Sequence, residues 1–309
     1  MPSHPGATCA RVTLGGGQGP LERRRSTRPG RHPSRVVGVP SHPGLLECIE
    51  RYFAAAPLPD ARIETAGALD VPIADPAWPF PARPRRDGDP VTVDDIRAAV
   101  ALQQAAGLPA ALEWVPECAP EVGAAARAAG MTVEELPLLV ADDPVDVVLP
   151  AGVRLFLVGG DDPELPHYQQ VATLAFAHPG GAADVEEVLL DDSAEAARRT
   201  AVLRERIADG RTVMIVAIEH GKPVAVGWHQ PVDIDGTEVS EIVGIATLPR
   251  LRGRGLGAGI ASALAAHARE TADLVFLVAG DDDVARVYER IGFARIATTG
   301  VAELQAPGE

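Results

Sequence analysis

The order of apolar and polar positions divides the first half of the chain into helices and strands. Helical spacing of apolar residues predicts helices over residues 43–55, 92–106 and 120–130, and continuous apolar runs predict strands over 110–115 and 131–140. Thr92 followed by Asp95 is typical of a capping box at a helix start. The proline-rich segment from Trp78 to Pro84 indicates a connector, because proline disfavours helix interiors and interior strands.

The second half has a longer run of predicted elements, in the order βααβββαβαββ. The elements are a strand over 153–158, helices over 163–176 and 194–208, strands over 213–218, 224–232 and 239–247, a helix from 258 to about 271, a strand over 274–279, a short helix over 284–291 and two closing strands ending near 305. The segment from Glu219 to Lys222 is predicted to join two strands as a hairpin.

Two strand–helix–strand segments echo each other, one over residues 110–140 and one over 274–305. Aligning Gly130 with Gly292 places Ala126 opposite Tyr288. The first half therefore looks like a degenerate second copy of part of the second half. We expect its role to be structural, as a partner surface or one wall of a substrate cleft.

Length and charge indicate an acidic protein of more than one domain. The chain has 309 residues, which is long for a single domain. We predict a disordered arginine-rich tail over 1–38, interpreted as a non-functional leader, a domain over 39–150 and a domain over 151–309. The formal net charge of −15 combines about +6 on the tail with about −21 on the rest. An acidic protein of this kind repels nucleic acid and attracts a cationic amine. The alternative is that the acidic residues only make the surface soluble.

The remaining composition excludes several classes of protein. The three cysteines are far apart and the eight histidines show no metal-ligand spacing, so we expect no metal and a reducing cytoplasm. No apolar run approaches 18 residues, so we expect no membrane segment. Lys222 is the only lysine, against 27 arginines, a bias typical of GC-rich bacterial genomes.

A glycine-rich stretch from Arg252 to Gly257 lies between a predicted strand and a predicted helix. Glycines let backbone N–H groups approach an anion, and a helix N-terminus adds unpaired donors, so the stretch is typical of a phosphate site. The chain lacks the Gly-Lys-Ser/Thr of a P-loop. A dinucleotide fingerprint can be drawn, but Asp273 precedes the next strand rather than ending it.

The same stretch reads R-x-x-G-x-G, which resembles the acyl-CoA pyrophosphate loop of the GNAT superfamily of N-acetyltransferases. Residues 288–293 resemble that family's Y-x-x-x-G-F signature, at the spacing of its second half. The resemblance covers about residues 151–309. It implies an α/β (α+β) fold with a mixed, mostly antiparallel sheet flanked by helices, here expected as a tandem, and acetyl-CoA as co-substrate.

The resemblance also implies the cofactor-binding residues. In the family, the strand before the loop pairs with the pantetheine arm and polarises the thioester carbonyl, and the loop binds the pyrophosphate. The residues implied are Ile245, Ala246, Thr247, Arg252, Gly253, Arg254, Gly255, Leu256, Gly257 and Ala258. Asp281 stands where the family often has asparagine as a further cofactor contact.

Two catalytic roles follow from the resemblance. Tyr288 is expected to be the general acid for the departing thiolate, with a core aromatic as the alternative. Glu241, eleven residues before Arg252, is the candidate base, with Glu238 or water as the fallback. Trp228 and His229 are interpreted as packed aromatics, with the acceptor pocket as the alternative.

The sequence thus predicts an acetyl-CoA-dependent N-acetyltransferase acting on a small-molecule amine by direct attack in a ternary complex. The alternative is a non-catalytic acyl-CoA-binding module of the same fold, and a dehydrogenase is a distant third. A homodimer is left open. The acceptor amine has no signature in the sequence.

Overall fold

A computed structural model of the protein describes residues 42–179 and 190–304. The helices in these residues are α1 His42–Ala55, α2 Val93–Ala105, α3 Val122–Ala128, α4 Leu165–Ala177, α5 Ala194–Ala208, α6 Leu256–Ala268 and α7 Asp282–Glu289, with a 3₁₀ helix at Pro249–Leu251. The strands are β1 Arg62–Ala66, β2 Leu69–Ile73, β3 Arg83–Pro84, β4 Ala111–Trp114, β5 Thr132–Ala141, β6 Val153–Val158, β7 Val213–Glu219, β8 Lys222–Ile234, β9 Thr237–Thr247, β10 Leu274–Val278 and β11 Phe293–Glu303. The prediction for residues 1–38 lies outside the described residues.

Most predicted elements are present, and the capping box of α2 is confirmed, since Thr92 and Asp95 exchange side-chain and backbone hydrogen bonds. The two closing strands were predicted wrongly. They are one strand, β11, whose pairing with β5 shifts by one residue between Arg295 and Ala297. The hairpin of β1 and β2 was missed, because most of β1 is exposed or half-buried and has no apolar period.

Contacts divide the chain into two compact units. Among the described residues, the glycine-loop unit holds residues 144–179, 190–231 and 242–270, and the strand-exchange unit holds 42–143, 232–241 and 271–304. The predicted domains, 39–150 and 151–309, cut the chain differently. The difference arises because residues 271–304, which follow α6, group with the first half.

The glycine-loop unit is built on antiparallel pairs of β6 with β7 and of β7 with β8. The predicted hairpin turn is formed by His220 and Gly221, whose φ angles of 49° and 78° are those of a tight turn that matches strand twist. Helix α6 is apolar on nearly all sides and packs against β7, and α4 packs against α5. These elements fix the start of α6, where the glycine-rich stretch lies.

The strand-exchange unit has the strand order β4-β11-β5-β10, all antiparallel. Each strand–helix–strand segment places its last strand against the first strand of the other segment. Strand β11 pairs with β4 from Gly300–Trp114 to Glu303–Ala111, and β5 pairs with β10. The two last strands pair with each other at the centre. This reciprocal exchange explains why the end of the chain groups with the first half.

Helix α1 covers this unit with an aromatic cluster. The rings of Tyr52 and Phe53 lie edge-on to Phe276 of β10, at centroid distances of 5.1 and 5.5 Å. All three side chains are buried. Edge-to-face packing of this kind holds an aromatic ring in one orientation. The hydroxyl of Tyr52 is therefore placed by a rigid part of the core.

Candidate active site

Strand β9 changes conformation just before the predicted cofactor-binding residues. Gly244 has a φ of 65°, and a Cβ atom there would meet the Trp228 ring at 2.3 Å. Only glycine fits such a position without strain. The alternation of buried and half-buried residues in β9 is interrupted between Val243 and Ile245. Irregularities of this kind leave backbone groups unpaired and are common beside active sites. Gly244 was not among the predicted site residues, although a glycine inside an apolar strand often marks a bulge or the close approach of a ligand.

The glycine-rich stretch has the conformation expected of an anion cradle. Gly253 and Gly255 have φ angles of 74° and 81°, and a Cβ at either residue would meet no atom within 4 Å. Gly255 is the N-cap of α6. The first turn of a helix leaves its backbone N–H groups without intrahelical acceptors, and these are the donors of Leu256, Gly257 and Ala258. The stretch therefore offers directed donors beside open space.

Gly257 brings the loop against β9. A Cβ at Gly257 would lie 3.7 Å from Ile245 Cγ2 and 3.8 Å from Thr247 Oγ1. Any longer side chain would therefore fill the space between the helix start and the strand. The structure thus brings together the strand residues and the loop residues that the sequence selected.

The two loop arginines are both engaged by the protein. Arg252 donates to the carbonyl oxygens of Ala175, His178 and Pro179, at 2.7, 2.7 and 2.9 Å. Arg254 forms a two-pronged ion pair with Glu219, at 2.6 and 3.0 Å. The pair lowers the pKa of the Glu219 carboxyl. Both arginines thus anchor the loop. Arg252, held by neutral carbonyl groups, leaves positive charge near the helix start, whereas the charge of Arg254 is balanced by Glu219.

These features fit a ligand with a pyrophosphate group. The helix N-terminus supplies backbone donors and the positive end of the helix dipole. The positive φ angles of Gly253 and Gly255 aim that backbone, and the glycines leave the approach open. The loop thus fits the anionic group of such a ligand.

Glu241 lies in the strand-exchange unit and is the last residue of β9 that belongs to that unit. Its half-buried carboxyl accepts a hydrogen bond from the Tyr52 hydroxyl and lies near Glu113 and Arg83. Burial, with a smaller contribution from the Glu113 charge, raises the pKa of Glu241 to about 8. A carboxyl of this kind can hold and release a proton near neutral pH. Sequence spacing found Glu241, but gave no signal for its partners, which precede it by more than 120 residues.

The fallback base, Glu238, has a different setting. Its backbone N–H donates to Asp273 at 3.2 Å, and its exposed carboxyl accepts a hydrogen bond from Thr271. These contacts tie the start of β9 to the residues before β10. Glu238 therefore has a structural contact within the strand-exchange unit, and the choice between the two candidate bases stays a prediction.

Tyr288 is buried on α7, 5.9 Å from the Phe293 ring between centroids. Burial raises the pKa of its phenol above the usual range, so the hydroxyl stays protonated. Asp281 is the N-cap of α7 and accepts a hydrogen bond from Val284 N at 2.7 Å. Its observed contact is thus within the protein, and its role toward a cofactor stays a prediction.

Buried His229 pairs with half-buried His267 in the glycine-loop unit. Their Nε2 and Nδ1 atoms are 3.0 Å apart, with the donor set by the tautomers. Burial and the neighbouring ring lower the pKa of His229 to about 3, so it is neutral. The pair fixes α6 to β8 and matches the interpretation of His229 as packed. In residues 42–179 and 190–304, no group of three His, Cys, Asp or Glu side chains is arranged to hold a metal. No helix described in the structure is both long and apolar enough to span a membrane.

Comparison with known proteins identifies a GNAT domain in one part of the chain. Residues 183–293 match the model of the Acetyltransferase (GNAT) family, and this range contains the loop and the Tyr288 to Phe293 signature. The chain carries a GNAT domain. The predicted resemblance and fold class are confirmed.

Solved structures are also similar to this chain. A GCN5-related N-acetyltransferase from Kribbella flavida is 24% identical, with a TM-score of 0.57 over 84% of this chain and 95% of that chain. At that identity the likeness shows the fold alone. A tandem GNAT protein from the clavulanic acid biosynthesis pathway is 18% identical over 79% of this chain and 80% of that chain, with a TM-score of 0.49.

A curated protein similar to this chain is the mycothiol acetyltransferase of Propionibacterium freudenreichii subsp. shermanii. It is 28% identical over 167 residues, which are 51% of this chain and 48% of that protein. The chain therefore matches about half the length of this relative.

Proposed function

We propose that the protein transfers an acetyl group from acetyl-CoA to the amine of a small molecule, by direct attack while both substrates are bound. Membership of the GNAT family supports acyl-CoA-dependent acetyl transfer. The observation that carries the proposal is the setting of Glu241. It is a half-buried carboxyl with a raised pKa, on the strand that continues through Ile245 to Thr247 into the glycine loop.

Glu241 is the proposed general base. A primary amine is mostly protonated at neutral pH and must lose a proton to attack the thioester carbonyl carbon. A base works best when its pKa lies near the operating pH, and the pKa of about 8 for Glu241 meets that requirement. The ammonium proton passes to the Glu241 carboxylate, directly or through water, before the attack. As the C–N bond forms and the C–S bond breaks, the nitrogen releases its second proton to water, and water returns a proton to Tyr288 after the phenol has protonated the sulfur.

The remaining roles fall to the backbone of β9 and to Tyr288. A backbone N–H of the segment Ile245–Thr247 donates to the carbonyl oxygen as negative charge develops on it. The phenol of Tyr288, kept protonated by burial, donates to the sulfur that leaves. The donors of Gly253 to Ala258 hold the pyrophosphate. A metal ion has no part in this scheme.

The acceptor is proposed as a small amine on charge grounds. The acidic body of the chain attracts a cation and repels nucleic acid. The curated relative is named for mycothiol, and its similarity covers about half of each protein. We therefore propose the amine class and not a named acceptor.

Calorimetric titration with acetyl-CoA tests the first step, and release of free CoA thiol across a panel of amines tests the second. We expect binding at micromolar concentrations and thiol release with at least one amine. Glu241→Gln is the matched variant, expected to bind acetyl-CoA like the parent while losing turnover. Absence of binding at hundreds of micromolar would overturn the proposal, and binding without turnover on any amine would favour the non-catalytic module.

A further inference from the structure

Three side chains from the first half of the chain interact with the Glu241 carboxyl. Tyr52 of α1 donates a hydrogen bond to it from a fully buried ring held against Phe53 and Phe276. The charges of Arg83 and Glu113 lie close enough to act on the same carboxyl. All of these residues belong to the strand-exchange unit.

Arg83 and Glu113 form a well-packed ion pair. Arg83 Nη2 lies 2.6 Å from Glu113 Oε2, and the two side chains are only 14% and 17% exposed. The Arg83 guanidinium also stacks 3.5 Å above the centroid of the Phe53 ring. Backbone hydrogen bonds between Ala82 and the residues of β4 hold the two chain segments together. The pair is therefore fixed in place and not a mobile surface contact.

Glu50 is the other acid near this pair. Burial raises the pKa of its carboxyl, and Arg83 and Arg86 oppose that effect. Glu50 and Arg83 also line a cavity of about 230 Å³ beside α1. The groups that face Glu241 itself are the hydroxyl of Tyr52, the guanidinium of Arg83 and the carboxyl of Glu113.

We infer that Tyr52, Arg83 and Glu113 are positioning residues for Glu241, so that the first half of the chain is a working part of the catalytic centre. The inference rests on the proposed function for the role of Glu241 as base. It adds to the expectation that the role of the first half is structural, as a partner surface or one wall of a substrate cleft. That half has no glycine loop of its own, but it supplies a hydrogen bond and two charges that act on the Glu241 carboxyl.

The three residues act in opposite directions, which makes the inference testable by sign. The Tyr52 hydrogen bond and the Arg83 charge favour the ionised carboxylate of Glu241, whereas the Glu113 charge opposes it. Tyr52→Phe and Arg83→Gln should therefore raise the pKa of Glu241, and Glu113→Gln should lower it. A residue that only supports the fold would not shift this pKa, and would not raise activity when removed.

The first experiment is the pH profile of kcat/KM in the full chain. Tyr52→Phe should move the acidic limb up by roughly one pH unit, which lowers kcat/KM at pH 7 about tenfold. Glu113→Gln should move the limb down and raise kcat/KM at pH 7 about fivefold for a shift of about one unit. Arg85→Gln is the matched control, because Arg85 lines the same cavity but pairs with Asp70. An acidic limb that keeps the parent's position in both Tyr52→Phe and Glu113→Gln would overturn the inference.

A second measurement needs no turnover. In the full chain carrying carboxyl-¹³C glutamate, the resonance lost in Glu241→Gln identifies Glu241, and its titration gives the pKa directly. The shifts in Tyr52→Phe and Glu113→Gln should have the opposite signs given above. If the parent neither binds nor turns over acetyl-CoA but the signs hold, the proposed function fails and the positioning of Glu241 stands. If the parent is active and the resonance titrates unchanged in both variants, the positioning fails alone.

Discussion

The two strand–helix–strand segments of the strand-exchange unit share a backbone but not a chemistry. Each helix ends at a glycine in the same conformation, with φ of 92° at Gly130 and 93° at Gly292. Each glycine N–H donates to the carbonyl three residues before it. Four residues before the glycine, however, one segment has buried Ala126 and the other has buried Tyr288.

The comparison shows which positions carry the fold and which carry the site. Glycine and apolar positions reproduce the helix end and the strand pairing in both segments. The phenol occurs in one segment only, and the same is true of the side-chain cap, since Asp281 caps α7 but Glu121 makes no capping hydrogen bond to α3. A degenerate copy can therefore keep its fold after losing its own chemistry, and can still supply side chains to the other copy.

The largest expected effect is on the phenol that distinguishes the segments. Tyr288→Phe should lower kcat by about 10² to 10⁴ while leaving the affinity for acetyl-CoA nearly unchanged, because the hydroxyl acts on the leaving sulfur. Steady-state kinetics and calorimetry measure the two quantities. Tyr168→Phe is the control, since it removes the buried phenol of a residue on α4. The Tyr168 hydroxyl lies 3.5 Å from Asp162 Oδ2. Unchanged kcat in Tyr288→Phe would make Tyr288 a core residue only.

The next effect tests whether the exchanged strands bind the segments into one folding unit. Leu138 of β5 is fully buried and lies opposite both Val278 of β10 and Ala297 of β11. Leu138→Ala should reduce the free energy of unfolding by about 2 to 5 kcal/mol. Denaturant titration followed by circular dichroism and by tryptophan fluorescence should give coincident transitions. Separate transitions would contradict a shared unit, and exposed Leu58→Ala should change little.

A smaller effect distinguishes a glycine of the glycine-rich loop from a glycine of the same backbone conformation elsewhere in the chain. Gly255 and Gly210 have φ angles of 81° and 80°, and both have open space where a Cβ would be. Alanine at either residue should cost about 1 kcal/mol of stability through backbone strain. Only Gly255→Ala should also weaken acetyl-CoA binding, by about tenfold, because it displaces charge-assisted backbone donors. Equal affinity in the two variants would remove the loop from the cofactor site.

The sequence predicted the features that are set by local physics. The helix ends, the capping box at Thr92 and the hairpin at Gly221 depend on neighbouring residues, and the apolar pattern located the strands from β4 onward but not β1, β2 or β3. The glycine loop was found for the same reason. Glu241 was found through its distance from Arg252, which lies on the same continuous strand and loop.

The remaining features depend on contacts between distant residues. The apolar pattern shows that β5 and β11 are buried strands but does not specify which strands pair with them. The exchange of β5 and β11 could therefore not be predicted from it. Strand β1 has no pattern to find. Tyr52 and Arg83 look like a core aromatic and a surface charge in sequence, and their proximity to Glu241 follows from the folded sheet alone. The partners of the candidate base are therefore the least predictable part of the candidate site.

The smallest effect tests the likeness of the two segments itself. Gly130→Ala and Gly292→Ala should each cost about 1 kcal/mol, because both place a Cβ in the left-handed region at nearly the same φ. Gly280→Ala is the control in the same unit, since its φ is ordinary and a Cβ there would meet no atom within 4 Å. Thermal and denaturant unfolding measure the three costs. Costs for Gly130 and Gly292 that differ by more than about 1 kcal/mol would mean that contacts beyond the shared backbone conformation hold one of the two glycines. The carbonyl of Gly292 also accepts hydrogen bonds from Asp142 and Asp143, so an excess cost there would point to those contacts as the place where the two segments diverge.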